Sequence, residues 1–219
     1  MVSHVLIAID GPAASGKSTV ARSLARRLGY RYVNTGAMYR AVTWVAVSRG
    51  VAPGDVEAVK GLMESVKIQC RFQNGDAVIL IDDVDHADQL NEKSVADAVS
   101  AFARIPRVRN ILVGKQRACA KGHNVVMEGR DIGSIVFPDT PYKFYIDATL
   151  EVRAARRAKQ GIADAIAARD AQDSSRATSP LSIAEDAHVI DSSHLTIDGV
   201  VGEIIGRLKL KGLALPAGA

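Results

Sequence analysis

Residues 10–19 read DGPAASGKST and follow directly on the apolar run HVLIAI at 4–9. No other stretch restricts the fold as much. The spacing G-x-x-x-x-G-K-S requires small residues so that successive backbone N–H groups turn inward around phosphate oxygens, and a helix starting at its end adds partial positive charge. A buried strand, this loop and then a helix form the context in which the pattern cradles a nucleoside triphosphate. Gly11, Pro12, Ala13, Ala14, Ser15, Gly16, Lys17, Ser18 and Thr19 are therefore the candidate ATP-binding residues. Lys17 is expected to reach the β and γ phosphates, and Ser18 to ligate Mg²⁺. The competing reading is a glycine-rich strand-to-helix turn with no ligand, which the complete pattern in its context disfavours.

The loop also organises the rest of the chain. Four further short apolar runs, YRYVN (30–34), NVVME (124–128), YKFYID (142–147) and AHVID (187–191), have the nearly continuous hydrophobicity of parallel strands covered on both faces. Between the first two runs, Val20, Ala21, Leu24, Ala25 and Leu28 recur at helical spacing, Arg22 and Arg26 mark the opposite face, and Gly29 stands where the helix should stop. GAMYRAVTWVAVSRG is expected to form a second helix ending at Gly50. VKIQCRF and DAVILIDD flank QNG and read as an antiparallel hairpin that interrupts this rhythm. These patterns predict a three-layer α/β/α core with a five-stranded parallel sheet (about 1–61, 101–150 and 180–212). An insertion with its own small antiparallel sheet is expected over about 62–100. The Ala, Arg and Asp-rich stretch over about 151–179 is expected to be a helical segment weakly attached to the core.

Length and composition bound the function. At 219 residues with 47% hydrophobic and 24% charged side chains, the chain can bury one sizeable core. The net charge of +4 comes from 18 arginines and 10 lysines against 24 acidic residues. Arginine matches phosphate bidentately, so anionic partners are favoured, and small phosphorylated ligands account for the excess as well as a polynucleotide does. Cys70 and Cys119 lack a CxxC neighbour and the five histidines lack ligand spacing, so both thiols are expected to be reduced and structural. No run approaches a membrane span and the start has no export signal, which predicts a cytoplasmic protein. An N-K-x-D guanine-reading segment is absent from the sequence, which argues against a switch GTPase and for a small phosphotransferase with two substrates.

The second substrate should be found among arginines at strand ends. NTGAMYR (34–40) follows the second strand and EGRDIG (128–133) the third, so Arg40 and Arg130 leave the carboxyl edge of the sheet beside Asp131. Two such arginines can grip one phosphate. Together, IAIDGPAASGKST, NTGAMYRAV, PRVR (106–109), EGRDIGSIVFPD (128–139), RDAQDSSRATSPL (169–181) and DAHVIDSSHLTID (186–198) closely resemble the bacterial cytidylate kinase family, in the family's order from residue 7 to 198. The resemblance implies a P-loop NTPase-type kinase fold with a nucleotide-binding insertion and an arginine-bearing helical lid. The implied activity is phosphorylation of CMP and dCMP with ATP and Mg²⁺. The chain is expected to act as a single-domain monomer, without a membrane or stable nucleic-acid partner. The resemblance further implies that Thr35, Arg109 and Asp131 read the base, that Arg40 and Arg130 hold the CMP phosphate, and that Arg169 and Asp173 contact the ribose. Arg176 would be shared between base and phosphate, and Arg156 and Arg157 would approach the transferring group beside Lys17, Arg130 and Arg176 as the catalytic set.

Other readings of the same residues stay open at this level. Thr35 could cap its helix, Asp131 could cap a turn, and Arg107 and Arg109 could form a solvated face. Arg169, Asp173 and Arg176 could be surface ion pairs, and Arg153, Arg156 and Arg157 solubilising charge. Tyr30 and Tyr32 read as strand packing rather than base stacking. The acceptor could also be UMP, AMP or another metabolite, and a basic nucleic-acid-binding protein is a distant alternative. Two departures from the family stand out. Glu128 replaces the usual Asp as a carboxylate for Mg²⁺-bound water, and the lid segment 158–168 is short.

Overall fold

A computed structural model describes residues 4–159, 166–176 and 180–216, apart from the side chains of residues 168 and 169. In chain order the elements are β1 (Leu6–Asp10), α1 (Lys17–Leu28), β2 (Arg31–Asn34), α2 (Thr35–Ser48), α3 (Val56–Ser65), β3 (Ile68–Gln73), β4 (Asp76–Ile81), β5 (Val84–Asp85), α4 (Lys93–Phe102), α5 (Pro106–Ala120), β6 (Val125–Gly129), β7 (Tyr142–Asp147), α6 (Leu150–Lys159), α7 (Ile166–Ser174), β8 (His188–Asp191) and α8 (Ile197–Leu210). The chain divides into two compact units, one comprising residues 1–33 and 122–219 and the other residues 34–121.

The first unit carries the strand order β2-β6-β1-β7-β8. β1 lies at the centre, parallel to β6 on one side and to β7 on the other, and β8 runs parallel to β7. Ile9 stands opposite both Glu128 and Phe144, so the carboxyl ends of three strands open together next to the loop that follows β1. This is where ligands bind in open α/β sheets. The helical stripe Val20, Ala21, Leu24 and Leu28 of α1 and the stripe Val200, Val201, Ile204 and Leu208 of α8 bury against Ile7, Ile9, Val126, Phe144 and Ile146. Each fully buried Val, Leu or Ile in such a cluster contributes about 1.5–3 kcal/mol relative to an exposed one.

The second unit holds the expected hairpin. β3 and β4 pair antiparallel with Ile68 opposite Ile81, and β4 pairs antiparallel with β5. Asn74 and Gly75 turn the hairpin with positive φ. The α/β class, the parallel sheet and the small antiparallel sheet thus agree with the sequence pattern.

Two readings need correction. Cys70 and Cys119 are not free thiols but form a disulfide, with Cα atoms 5.8 Å apart. The cause is packing that spacing does not reveal: α5 lies along β3, held there in part by Lys115 Nζ donating to the Ile68 carbonyl at 2.8 Å. The helix after β2 is capped by Asn34, whose side chain accepts from the Ala37 N–H, and Thr35 is its first helical residue. Among the described residues no helix is long and apolar enough to cross a membrane.

Candidate active site

The loop after β1 has the shape its sequence requires. Gly11 has φ 151° and Gly16 φ 91°, and Ala14 takes the left-handed conformation at φ 60°. The chain then enters α1 at Lys17, which is almost fully buried and donates from Nζ to the Pro12 carbonyl at 2.7 Å. Gly11, Pro12, Ala13 and Ser15 are buried, while Ser18 and Thr19 are exposed on the first turn. A cleft of about 440 Å³ opens over this turn, lined by the loop from Ala14 together with Arg156, Arg157, Ser192, Leu195 and Thr196.

Arg156 is built into the wall of the cleft. Its Nη1 donates to the Ser15 carbonyl and to Ser192 Oγ, both at 3.1 Å, and its Nη2 to the Ser192 carbonyl at 2.7 Å. Ser192 in turn donates to the Ser15 and Asp147 carbonyls. Arg153 is buried, which corrects the reading of all three α6 arginines as solubilising charge. Its guanidinium bonds the Ala148 carbonyl at 2.9 Å, the Ala13 carbonyl at 3.3 Å and the Asp170 carboxylate, and Asp170 accepts from the Ala13 N–H at 3.3 Å. Helices α6 and α7 therefore converge on Ala13 of the loop that follows β1. With Ile166 as the one large apolar side chain that α7 buries among its described residues, charge more than apolar area attaches this segment.

The acceptor candidates of the first unit form a second cluster. Arg130 Nε donates to Asp173 Oδ2 at 2.8 Å, its Nη1 reaches the Gly11 carbonyl at 3.1 Å, and Arg176 pairs with the other oxygen of Asp173. Asp173 is 2% exposed, so these are not the surface ion pairs that its helical spacing alone allows. The side chain of Arg169 lies outside the described residues. Asp173→Asn leaves two guanidinium groups around a neutral amide in a nearly dry place, and it is expected to cost roughly 3 kcal/mol of stability. Urea denaturation measures this, and an unchanged midpoint would contradict the counter-ion role.

Within the second unit, Thr35 is buried at the start of α2, and Arg40 lies further along the same helix, its Nη1 3.2 Å from where a Cβ on Gly36 would stand. Of the two α5 arginines, Arg107 pairs with Glu64 on the surface. Arg109 instead is 2% exposed, donates to the Ala103 carbonyl at 3.1 Å and stacks over the Tyr39 ring, so the solvated-face reading fails for it.

Residues at the end of β6 hold the carboxylates. Glu128 is buried and accepts from the Tyr32 hydroxyl at 3.1 Å, which gives Tyr32 a polar role besides strand packing. Asp131 is buried too, but it does not cap the turn that follows. That turn is capped by Asp10, a residue of the run IAIDGPAASGKST with no role expected of it, whose two oxygens accept from the Ile132 and Gly133 N–H groups at 2.8 and 2.7 Å. Burial pushes the Asp10 carboxyl up to about 7, outweighing the pull of its two backbone donors and of Lys17, and Asp131 adds to the rise. The native state then holds a proton that the unfolded chain releases near pH 4, so this residue makes stability fall as pH rises from about 4 to 7. Asp10→Asn abolishes that slope. Relative to the parent, the variant is expected to gain roughly 3–4 kcal/mol between pH 4 and 7; parallel stability curves in chemical denaturation would contradict this.

Residues 7–210 match the cytidylate kinase family. The chain belongs to the cytidylate kinase family. It is 40% identical to a cytidylate kinase of Clostridium botulinum over 94% of this chain and 98% of that protein. It is 43% identical to one of Streptococcus pneumoniae over 91% and 95%, and 42% identical to one of a Geobacillus strain over 94% and 96%. The family match spans most of both compact units, α6 and α7 included.

Proposed function

We propose that the chain transfers the γ-phosphoryl group of ATP to CMP and dCMP. The observation that carries this reading is the bond from Arg130 to the Gly11 carbonyl, which puts an acceptor-phosphate candidate against the first residue of the donor loop in a chain of this family. ATP phosphates lie in the loop from Gly11 to Thr19, with Lys17 on the β and γ phosphates. Arg156 and Arg157 stand at the same cleft and neutralise charge on the transferring group. Arg130 and Arg40 hold the CMP phosphate, Asp131, Arg109 and Thr35 read the base, Asp173 and Arg169 hold the ribose, and Arg176 serves base and phosphate. Segment 62–100 acts as the nucleotide-binding insertion and 151–179 as the lid.

Catalysis on this reading is alignment plus electrostatic stabilisation, because phosphoryl transfer leaves the protein little covalent work. The attacking phosphate oxygen is already anionic near neutral pH and needs no general base. Ser18 on the exposed first turn of α1 and the Glu128 carboxylate beside β1 are hard oxygen donors of the kind Mg²⁺ takes, Glu128 through water. When bound, the ion supplies charge neutralisation on the phosphate oxygens. The lid arginines also help exclude water from the γ phosphate.

The deciding experiment follows ADP release from Mg-ATP with CMP, dCMP, UMP, AMP or no acceptor. CMP and dCMP are expected to raise the rate at least roughly tenfold above the others, a difference within the range that base-reading polar groups supply. Equal stimulation by all four nucleotides would refute the cytosine reading.

A further inference from the structure

Asp10 is a carboxylate at the end of the central strand, 5% exposed, in a place where an apolar side chain would pack without desolvating a charged or titratable group. Its two oxygens are both engaged by backbone donors of one short segment, Ile132–Val136. That segment is a single wide turn, with Val136 N–H bonding the Asp131 carbonyl and Phe137 N–H the Ile132 carbonyl five residues back. The first N–H groups of such a turn have no acceptor within it, and Asp10 supplies one to each of two. One residue before the turn stands Asp131, and before that Arg130, whose guanidinium returns to the Gly11 carbonyl. Three bonds thus tie residues 10–11, from which the phosphate loop departs, to residues 130–133.

The opposite side of the turn is fixed as well. A Cβ on Gly133 would lie 3.1 Å from Cγ and 3.2 Å from Cδ of Lys143, so the turn rests directly on the stem of that β7 side chain. Lys143 is itself held, donating from Nζ to Asp186 at 2.7 Å and to the Pro138 carbonyl. The turn therefore has one seat, between Asp10 of β1 and Lys143 of β7.

We propose that Asp10 is a positioning residue for phosphoryl transfer, fixing the distance between the donor cradle and the turn that carries Arg130 and Asp131. The inference rests on the phosphoryl-transfer reading above. In-line transfer between two bound nucleotides depends steeply on their alignment, and a displacement of about 1 Å can cost on the order of 100-fold in rate. Asp10 touches neither nucleotide on this reading. Its effect falls on kcat, not on the occupancy of the donor site.

Asp10→Asn keeps the volume but points an amide donor at one of the two N–H groups. At a temperature where the variant is fully folded, kcat with CMP is expected to fall roughly 10- to 100-fold, while the KM for ATP and the dissociation constant of a non-hydrolysable ATP analogue stay within about threefold of the parent. Gly133→Ala, which displaces the same turn from the Lys143 side, is expected to give the same split. A kcat within about twofold of the parent in both variants overturns the proposal, as does a loss of analogue binding equal to the loss of kcat. Amide hydrogen exchange in the unmodified protein supplies a test that needs no variant. The Ile132 and Gly133 N–H groups are expected among the slowest outside the helices and strands, and exchange at loop rates overturns the pin. If the unmodified protein shows no CMP-dependent ADP release, the functional reading fails, while the exchange rates still decide whether the pin exists.

Discussion

Lys17→Ala is expected to abolish phosphoryl transfer, with kcat lower by roughly 1000-fold, the upper range for removing one preorganised donor from a charged transition state. The side chain is almost fully buried and its Nζ bonds the Pro12 carbonyl, so it is already folded back across the loop it serves. Such preorganisation is what makes a single ammonium valuable, because no reorganisation is needed as charge develops. Loss of the Pro12 bond costs little by comparison, about 1 kcal/mol for a typical hydrogen bond. The variant should therefore melt within a few degrees of the parent while turning over negligibly. Near-normal turnover in a folded Lys17→Ala protein would remove the donor-site assignment.

Gly11→Ala is expected to strike the fold instead. A Cβ at Gly11 would lie 2.1 Å from the Ile146 carbonyl oxygen, a backbone atom of β7 that cannot swing aside, and φ at this residue is 151°. The loop and the strand would have to part, and the same residue's carbonyl receives Arg130. A loss of about 3–5 kcal/mol follows from combined overpacking and backbone strain, or roughly 10 °C in melting temperature for a chain of this size. Gly206→Ala on α8 serves as the contrast, since nothing lies within 4 Å of its Cβ position. That substitution should be neutral or stabilising by up to about 1 kcal/mol, the difference in helix propensity. Comparable melting of the two variants would show that the close approach to β7 is not what holds Gly11.

Features that depend on neighbours along the chain are legible in the amino-acid sequence itself. The strand, loop and helix around Lys17 are local, and so are the α1 stripe and the hairpin at Asn74-Gly75. Features made by distant residues are not. Arg153 and Asp170 are separated from Ala13 by 140 and 157 positions, and their helical spacing fits a solvated face equally well. Asp173 is related to Arg176 by helical spacing, but its bond to Arg130 comes from the end of another strand. Asp10 is hidden for a different reason. Beside a strong motif, an acidic residue at a strand end reads as the start of the loop, and its partners are backbone groups that carry no side-chain signal. Arg107 and Arg109 show the same limit, two residues apart on one helix with opposite burial.

The Cys70–Cys119 bond gives the second unit a vulnerability that the first does not share. It closes a covalent ring across a sequence separation of 49 residues, and ring closure of that size removes about 4 kcal/mol of conformational freedom from the unfolded chain. Arg109 lies inside the ring, whereas Thr35 and Arg40 lie outside it and the phosphate loop belongs to the other unit. A reducing environment thus lowers the stability of the unit that holds Arg109, while the loop after β1 keeps its own supports in the other unit.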